Sequence, residues 1–331
     1  MRILVAGAGG FIGGHLVGRL LAQGHQVVAA DIKRLGSWWQ IHPAAGNLSM
    51  HDLRLRPVCD LAVTGCQRVY NLACDMGGIG FIETHKAQCM RSVLINTHLL
   101  EAAREAGVRR YFYSSSACVY AAGVQDRPDA PALKETDAYP AMPEDGYGWE
   151  KLFSERMCRH YAEDYCLDTR SARFHNVYGP HGSWCDGREK APAALCRKVA
   201  ESKLYGEESI ELWGDGTRTR SYMWIGDCLE GIQRIMAADD WPAQLRTDCL
   251  NLGSAEQVSV DDLLSAVADV ADHHSFLRLY DRSKPQGVQG RNSDNTLIRG
   301  LFGWEPSTPL SDGLAQTYPW IEEQVKAVGS A

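Results

Sequence analysis

The chain has 331 residues, enough for one large domain or two intermediate ones, and its 45% hydrophobic and 23% charged content is ordinary for a packed protein. A formal charge of −7 disfavours a nucleic-acid or anionic-membrane binder, which needs a basic face. The 11 cysteines are odd in number, with no Cys-x-x-Cys pair and no zinc-type spacing to histidine, so free thiols are expected and a metal site is not. No apolar run approaches the roughly 20 residues of a spanning helix. Met1 leads straight into a strand pattern, leaving no room for a signal peptide. A soluble, cytoplasmic protein is the expectation.

Ile3-Leu4-Val5-Ala6 reads as a short buried strand. Gly7-Ala8-Gly9-Gly10-Phe11-Ile12-Gly13 follows, then a helical pattern through Leu16, Leu20 and Leu21 to Gly24. A second strand, Val27-Val28-Ala29-Ala30, ends on Asp31. Strand, glycine turn, helix, strand and acid is the order of a dinucleotide site. The helix N-terminus offers open N–H groups to a pyrophosphate. Gly7, Gly10, Phe11, Ile12 and Gly13 are therefore candidate cofactor residues. Asp31 would accept from ribose hydroxyls and repel a 2′-phosphate, which favours NAD over NADP despite nearby Lys33 and Arg34.

Further strands are predicted at Arg68–Leu72 and Arg110–Ser114, with one long helix over about 86–105 between them. Alternating strands and helices predict an α/β fold with a doubly wound parallel sheet of Rossmann type. Ligands of such sheets lie beyond the carboxyl ends of the strands. Ser116 and Cys118 fall there, as does Asp75-Met76-Gly77-Gly78, whose glycines would let the backbone approach a sugar or nicotinamide.

Tyr147 and Lys151 are four apart, on one face of a predicted helix. A lysine cation and a positive nicotinamide together favour the tyrosine phenolate, turning a weak acid into a base. A Ser116 hydroxyl can share the substrate proton. After Arg173 the alternation loosens. Helices near 190–203, 227–238 and 259–271 and strands at Ile210–Leu212 and Asp248–Asn251 suit a smaller substrate domain. The division expected is 1–172 for the dinucleotide-binding domain and 173–331 mainly for the substrate domain, with segments free to interleave.

These residues together resemble the extended short-chain dehydrogenase/reductase family that acts on nucleotide sugars. The similarity runs end to end, through Cys74–Ile82, Ser115-Ser116-Ala117-Cys118-Val119-Tyr120, Arg173–Pro180, Gly187-Arg188-Glu189-Lys190-Ala191-Pro192 and Gly290–Asn295. It is strongest to the branch that epimerises at C3 and C5. The resemblance implies Ser116, Cys118, Tyr147, Lys151 and Lys190 as catalytic residues, with Cys118 and Lys190 as the proton-transfer pair. It places Asp52 and Leu53 toward the adenine end of the cofactor, alongside Tyr147 and Lys151 at the nicotinamide. It gives Gly78, Ser116, Ala117, Cys118, Asn176, Glu189, Lys190, Ala191, Lys198, Arg218, Arg220, Ser221 and Arg291 to the substrate. That substrate would be GDP-mannose or a close relative, in a homodimer. Cys185, Asp186 and Ala121-Ala122-Gly123 depart from the branch's pattern near the pocket, which leaves the sugar and base open. A 4-epimerase would leave Cys118 and Lys190 idle. A 4,6-dehydratase would want a carboxylate pair where the chain reads Ala117-Cys118, and a non-catalytic NAD-binding scaffold would be free to lose Tyr147 or Lys151.

Overall fold

The computed structural model describes residues 1–239, 241 and 249–329. The first half alternates strands and helices: β1 (Arg2–Ala6), α1 (Phe11–Ala22), β2 (Gln26–Asp31), β3 (Gly46–Ser49), α2 (Arg56–Val63), β4 (Arg68–Asn71), α3 (Ile79–Thr84), α4 (Lys86–Met90), α5 (Val93–Glu105), β5 (Arg110–Ser116), α6 (Asp145–Tyr165) and β6 (Asp168–Phe174). The second half adds β7 (Val177–Tyr178), α7 (Ala191–Tyr205), β8 (Ser209–Trp213), β9 (Thr219–Ser221), β10 (Met223–Trp224), α8 (Ile225–Ala237), β11 (Leu250–Leu252), β12 (Gln257–Ser259), α9 (Val260–Ala271), β13 (Leu277–Asp281), β14 (Gly290–Arg291), α10 (Thr296–Phe302) and α11 (Leu310–Gly329).

Seven strands form one parallel sheet in the order β11-β6-β5-β4-β1-β2-β3. Such a sheet is covered on both faces, so its strands are apolar on both. Ile3 and Val5 point to one core, with Val27, Ala29 and Phe112, beneath α1 and α8. Leu4 and Ala6 point to the other, with Val28, Ala30 and Tyr111, beneath α2, α5 and α6. The two-residue alternation of side chains thus supplies both cores from the same strands. A third core joins α7, α9 and α11 through Cys196, Leu263 and Leu314 in the substrate-side unit.

Element boundaries differ from expectation in places. The helix predicted over 86–105 is two helices, α4 and α5. At the break the backbone tightens to three-residue hydrogen bonds, Ser92 to Cys89 and Leu94 to Arg91, while buried Ser92 Oγ accepts from Asp75 N–H at 2.9 Å. The strand expected to end at Ser114 runs on through Ser116, because β5 pairs with β6 as far as Ser116 opposite Phe174. The expected boundary at 172/173 lies within β6, and β11, from the second half, pairs with β6, in keeping with segments free to interleave. Of the strand expected at Asp248–Asn251, Asp248 lies outside the described residues and the strand begins at Leu250. No helix among the described residues is long and apolar enough to cross a membrane.

Candidate active site

A cavity of about 540 Å³ opens beyond the carboxyl ends of β1, β4 and β5. Gly7, Gly10, Phe11, Ile12, Gly13, Asp31, Asp52, Leu53, Ser116, Tyr147 and Lys190 line it, so eleven expected residues converge on one space. Gly7 has φ +82°, and a Cβ there would meet the Leu72–Ala73 backbone at 2.8 Å. A Cβ at Gly13 would lie 2.1 Å from the Gly7 carbonyl, so this glycine lets α1 start hard against the turn. Gly10 caps α1 without a side chain, which leaves the first N–H groups facing the cavity for an anion.

Asp31 is fixed at the far end: its carboxylate accepts from Gly9 N–H and Lys33 N–H, both at 2.9 Å. Lys33 Nζ turns back onto the Gly9 carbonyl at 3.4 Å. Asp52 is gripped by the Arg54 guanidinium at 2.7 and 2.8 Å, which holds its carboxyl below the ordinary range. A glycine turn under a helix N-terminus, an oriented acid at one end and a tyrosine at the other fit a dinucleotide.

At the reactive end, Ser116 Oγ accepts from Cys118 N–H at 3.2 Å, shaping the 3-10 turn Ala117–Val119. Tyr147 sits in the first turn of α6, buried in an apolar cluster with Phe81, Cys89 and Cys118. Gly148 makes this possible, because a Cβ there would stand 2.3 Å from the Cys118 carbonyl. Lys151 Nζ donates to the Ser114 carbonyl at 3.1 Å and lies 5.5 Å from the Tyr147 ring centre. The chain's own groups do not depress the phenol as the Tyr147–Lys151 spacing suggested. Burial pushes Tyr147 well above its ordinary value, Cys74, Cys118 and Glu150 push the same way, and Ser116 pulls down. A cationic ring beside it is what remains to favour the phenolate.

Lys190 caps α7 and reaches the same cavity. Burial lowers its pKa, against an upward pull from Cys118, Cys74 and Cys228. Its carbonyl accepts from Ala194 N–H at 3.0 Å, and among the described residues its side-chain amine has no hydrogen-bond or ion-pair partner. The Gly77–Gly78 pair, expected to let the backbone approach a sugar or nicotinamide, also admits a second stretch of the chain. A Cβ at Gly78 would meet the Glu189 carbonyl at 2.4 Å, and Gly78 N–H donates to the Arg188 carbonyl at 3.0 Å. Arg188 completes the grip with Asp75 at 2.7 Å and stacks over Phe81 at 3.9 Å. Glu189 keeps one buried oxygen without a partner, and Ala191 opens α7.

Cys118, Lys151, Gly78, Ala117, Glu189 and Ala191 stand behind the cavity lining, and the remaining candidates also lie outside it. Arg291 donates to Cys118 Sγ at 3.6 Å and to Gln125 at 2.6 Å, and pairs with Glu144. It stands opposite Arg220 in the β9–β14 pairing. Arg220 is spent on the carbonyls of Thr219, Gln286 and Val288, and Arg218 on Gln286 and Gly287. Asn176, with φ +40°, donates to the Ser221 carbonyl, while buried Ser221 Oγ has no partner. Lys198 is farther out, donating to the Glu211 carbonyl at 2.6 Å. The structure therefore brings the glycine-turn residues, Asp31, Ser116, Tyr147 and Lys190 to one cavity, with Cys118 and Lys151 packed behind Tyr147, and sets Lys198 on α7 and Arg218 and Arg220 at β9 apart from it. Sequence reasoning missed Cys74, which follows β4 into the cavity just as Ser116 follows into it from β5; strand-end position was the available signal. Trp39 of the segment after β2 was also missed; it lines the cavity and packs edge-on against Trp320 of α11, 6.4 Å between ring centres.

Residues 3–246 match the model of the NAD dependent epimerase/dehydratase family. GDP-mannose 3,5-epimerase 1 of Oryza sativa subsp. japonica is 42% identical over 98% of this chain and 83% of its own length. GDP-mannose 3,5-epimerase of Arabidopsis thaliana is 41% identical over 100% of this chain and 85% of its own. Among solved structures, the Thermotoga maritima UDP-glucose 4-epimerase with UDP-glucose superposes with a TM-score of 0.83 at 22% identity, covering 98% of this chain and 100% of that one. MoeE5 in complex with UDP-glucose and NAD gives 0.78 at 26% identity, over 98% and 100%.

Proposed function

The chain belongs to the NAD-dependent epimerase/dehydratase family, and from that premise we propose that it inverts C3 and C5 of GDP-mannose or a close relative, as a 3,5-epimerase. It is an isomerase and NAD is its cofactor. The observation that carries the 3,5 reading is the company Tyr147 keeps. Cys118 packs against it in one buried cluster, and Lys190, its pKa lowered by burial, reaches the same cavity.

Bound NAD supplies reversible oxidation at the sugar C4. Gly7, Gly10, Phe11, Ile12, Gly13, Asp31, Asp52 and Leu53 would hold it, with Tyr147 and Lys151 toward its reactive end. Tyr147 takes the C4 hydroxyl proton as general base, and Ser116 Oγ shares that proton and steadies the oxygen. A ketone at C4 acidifies the hydrogens on C3 and C5, since each carbanion delocalises into an enolate. Cys118 and Lys190 then remove and return protons at those carbons. A thiol and an amine suit the task because both move toward neutrality with modest changes of environment. Gly78, Ala117, Glu189 and Ala191 shape the sugar pocket. Asn176, Lys198, Arg218, Arg220, Ser221 and Arg291 form the nucleotide side, where the arginines would turn from the carbonyls and side chains that hold them to present fork-shaped donors to a diphosphate.

We read the molecule as a cytoplasmic homodimer. The free state of all 11 cysteines supports the compartment. Leu94 of α5 and Trp149, Phe153 and Tyr165 of α6, all exposed, support a dimer built through helices of the dinucleotide half. The test of the activity is proton NMR of the enzyme with GDP-mannose in deuterium oxide. Exchange and inversion at C3 and C5 support the reading. Exchange only with another nucleotide sugar keeps the chemistry and moves the substrate. Inversion at C4 without solvent exchange overturns it in favour of a 4-epimerase.

A further inference from the structure

Glu150 is a buried carboxylate that the reaction above does not use. It lies between Tyr147 and Lys151 on α6 and is 3% exposed. Its Oε1 accepts from Tyr113 and Ser154 hydroxyls, each at 3.1 Å. Its Oε2 has no hydrogen-bond partner, and the Lys151 ammonium stands 3.6 Å away, with both side chains 1% exposed. A buried anion is retained only where it is paired and hydrogen-bonded, and removing its partner leaves an uncompensated charge. Lys151 is in the same position: the Ser114 carbonyl and the Tyr113 ring, 4.9 Å from Nζ, are its other polar neighbours on β5.

We propose that Glu150 is a positioning residue, whose buried carboxylate keeps the Lys151 ammonium charged and aimed and so sets the pH range in which Tyr147 works. The inference rests on the reading of Tyr147 as the base. The groups facing this pair are Cys74 beyond β4, Cys89 on α4, Tyr113 on β5, and Tyr147 and Cys158 on α6. None is a carboxylate, so Glu150 is the acid among them. Burial pushes Lys151 down, but Cys74 and Glu150 outweigh it and leave the ammonium above its ordinary value. The same carboxylate also pushes Tyr147 up. Glu150 therefore holds a proton on both groups, and its removal loosens both in one direction.

The experiment is the pH profile of kcat for the NAD-loaded enzyme, in wild type, Glu150→Gln, Glu150→Asp and Tyr113→Phe. In Glu150→Gln, the acid limb, where Tyr147 gives up its proton, and the alkaline limb, where Lys151 does, both move to lower pH by about one unit or more, with KM changed less than about twofold. Glu150→Asp restores the charge and returns both limbs toward wild type. Tyr113→Phe keeps the carboxylate and strips one of its donors, so both limbs move the other way, by less. It tests the idea even where the Gln variant fails to fold. A Gln or Phe variant with reduced amplitude and unmoved limbs gives Glu150 a merely structural part and overturns the proposal. Tyr147→Phe is the control: turnover that survives it sinks the underlying reading of the base, independently of Glu150.

Discussion

His175 carries a prediction whose size follows from its surroundings. It is 0% exposed at the end of β6, its Nε2 faces Asn251 Oδ1 at 3.2 Å, and its Nδ1 is buried without a partner. Asn251 Oδ1 already accepts from the Tyr120 hydroxyl at 2.6 Å, so Nε2 carries the hydrogen and Nδ1 is the bare acceptor. A proton on Nδ1 would meet no acceptor, in a site that Arg173 and Lys190 make more positive. Burial, foremost, takes the imidazole from 6.5 to about 4, with the Asn251 contact pulling the other way.

The sign follows from linkage. Between those two values the unfolded chain binds a proton that the folded chain refuses. The neutral histidine therefore contributes stability in full above pH 6.5, lost as pH falls toward about 4. At about 1.4 kcal/mol per pH unit, the loss is roughly 3 kcal/mol. His175→Gln keeps an amide donor for Asn251 and does not titrate. Urea denaturation of both proteins, from about pH 8 to about pH 4, isolates the difference, since the other titrating groups are common to both. Wild type should lose roughly 3 kcal/mol more than the variant across that span. Parallel stability curves would refute the reasoning.

Three further outcomes are expected. Gly78→Ala drives a Cβ into the Glu189 carbonyl, so Lys190 should be displaced and kcat should fall by about tenfold or more, with NAD affinity unchanged by fluorescence titration. Arg173→Met strips the buried Glu155 of a guanidinium at 2.8 and 2.9 Å, which should cost about 3–5 kcal/mol in urea denaturation, partly recovered by adding Glu155→Gln. Asp31→Ser removes the acid held by Gly9 and Lys33 N–H groups and should narrow the preference for NAD over NADP by about tenfold or more in binding assays.

The cofactor half was legible because its signals are local. A glycine turn between two strands and an acid at the second strand's end occupy fewer than about forty residues, and spacing alone determines what they face. The Tyr147–Lys151 pair was legible for the same reason. The break at Arg91–Ser92 was not, because apolar spacing continues across it and the tightening answers to a hydrogen bond from distant Asp75. Gly77 and Gly78 showed that close approach was needed but not to what; the neighbour, Arg188–Glu189, is more than a hundred residues away in sequence. Nothing local in the sequence marks Glu150 as buried, and one of the hydroxyls that meet it comes from Tyr113 on β5. Arg218 and Arg220 look like free anion ligands in the sequence, yet their guanidinium groups are taken up by carbonyls of residues 286–289 and Gln286.

The place of β11 governs how the nascent chain can acquire its shape. Polypeptides leave the ribosome N-terminus first, and β11, one of the sheet's two edge strands, is the last of the seven to be made, with residues 175–249 intervening. Until Leu252 emerges, the outer side of β6 presents a row of unpaired N–H and C=O groups, the feature that recruits foreign strands. The residues that build the NAD end are synthesised early, but their sheet is sealed late. A fragment ending before Leu250 would thus keep the glycine turn, Asp31 and Tyr147 and still carry a sticky edge. For this molecule, solubility of the cofactor-binding half is a property of the whole chain.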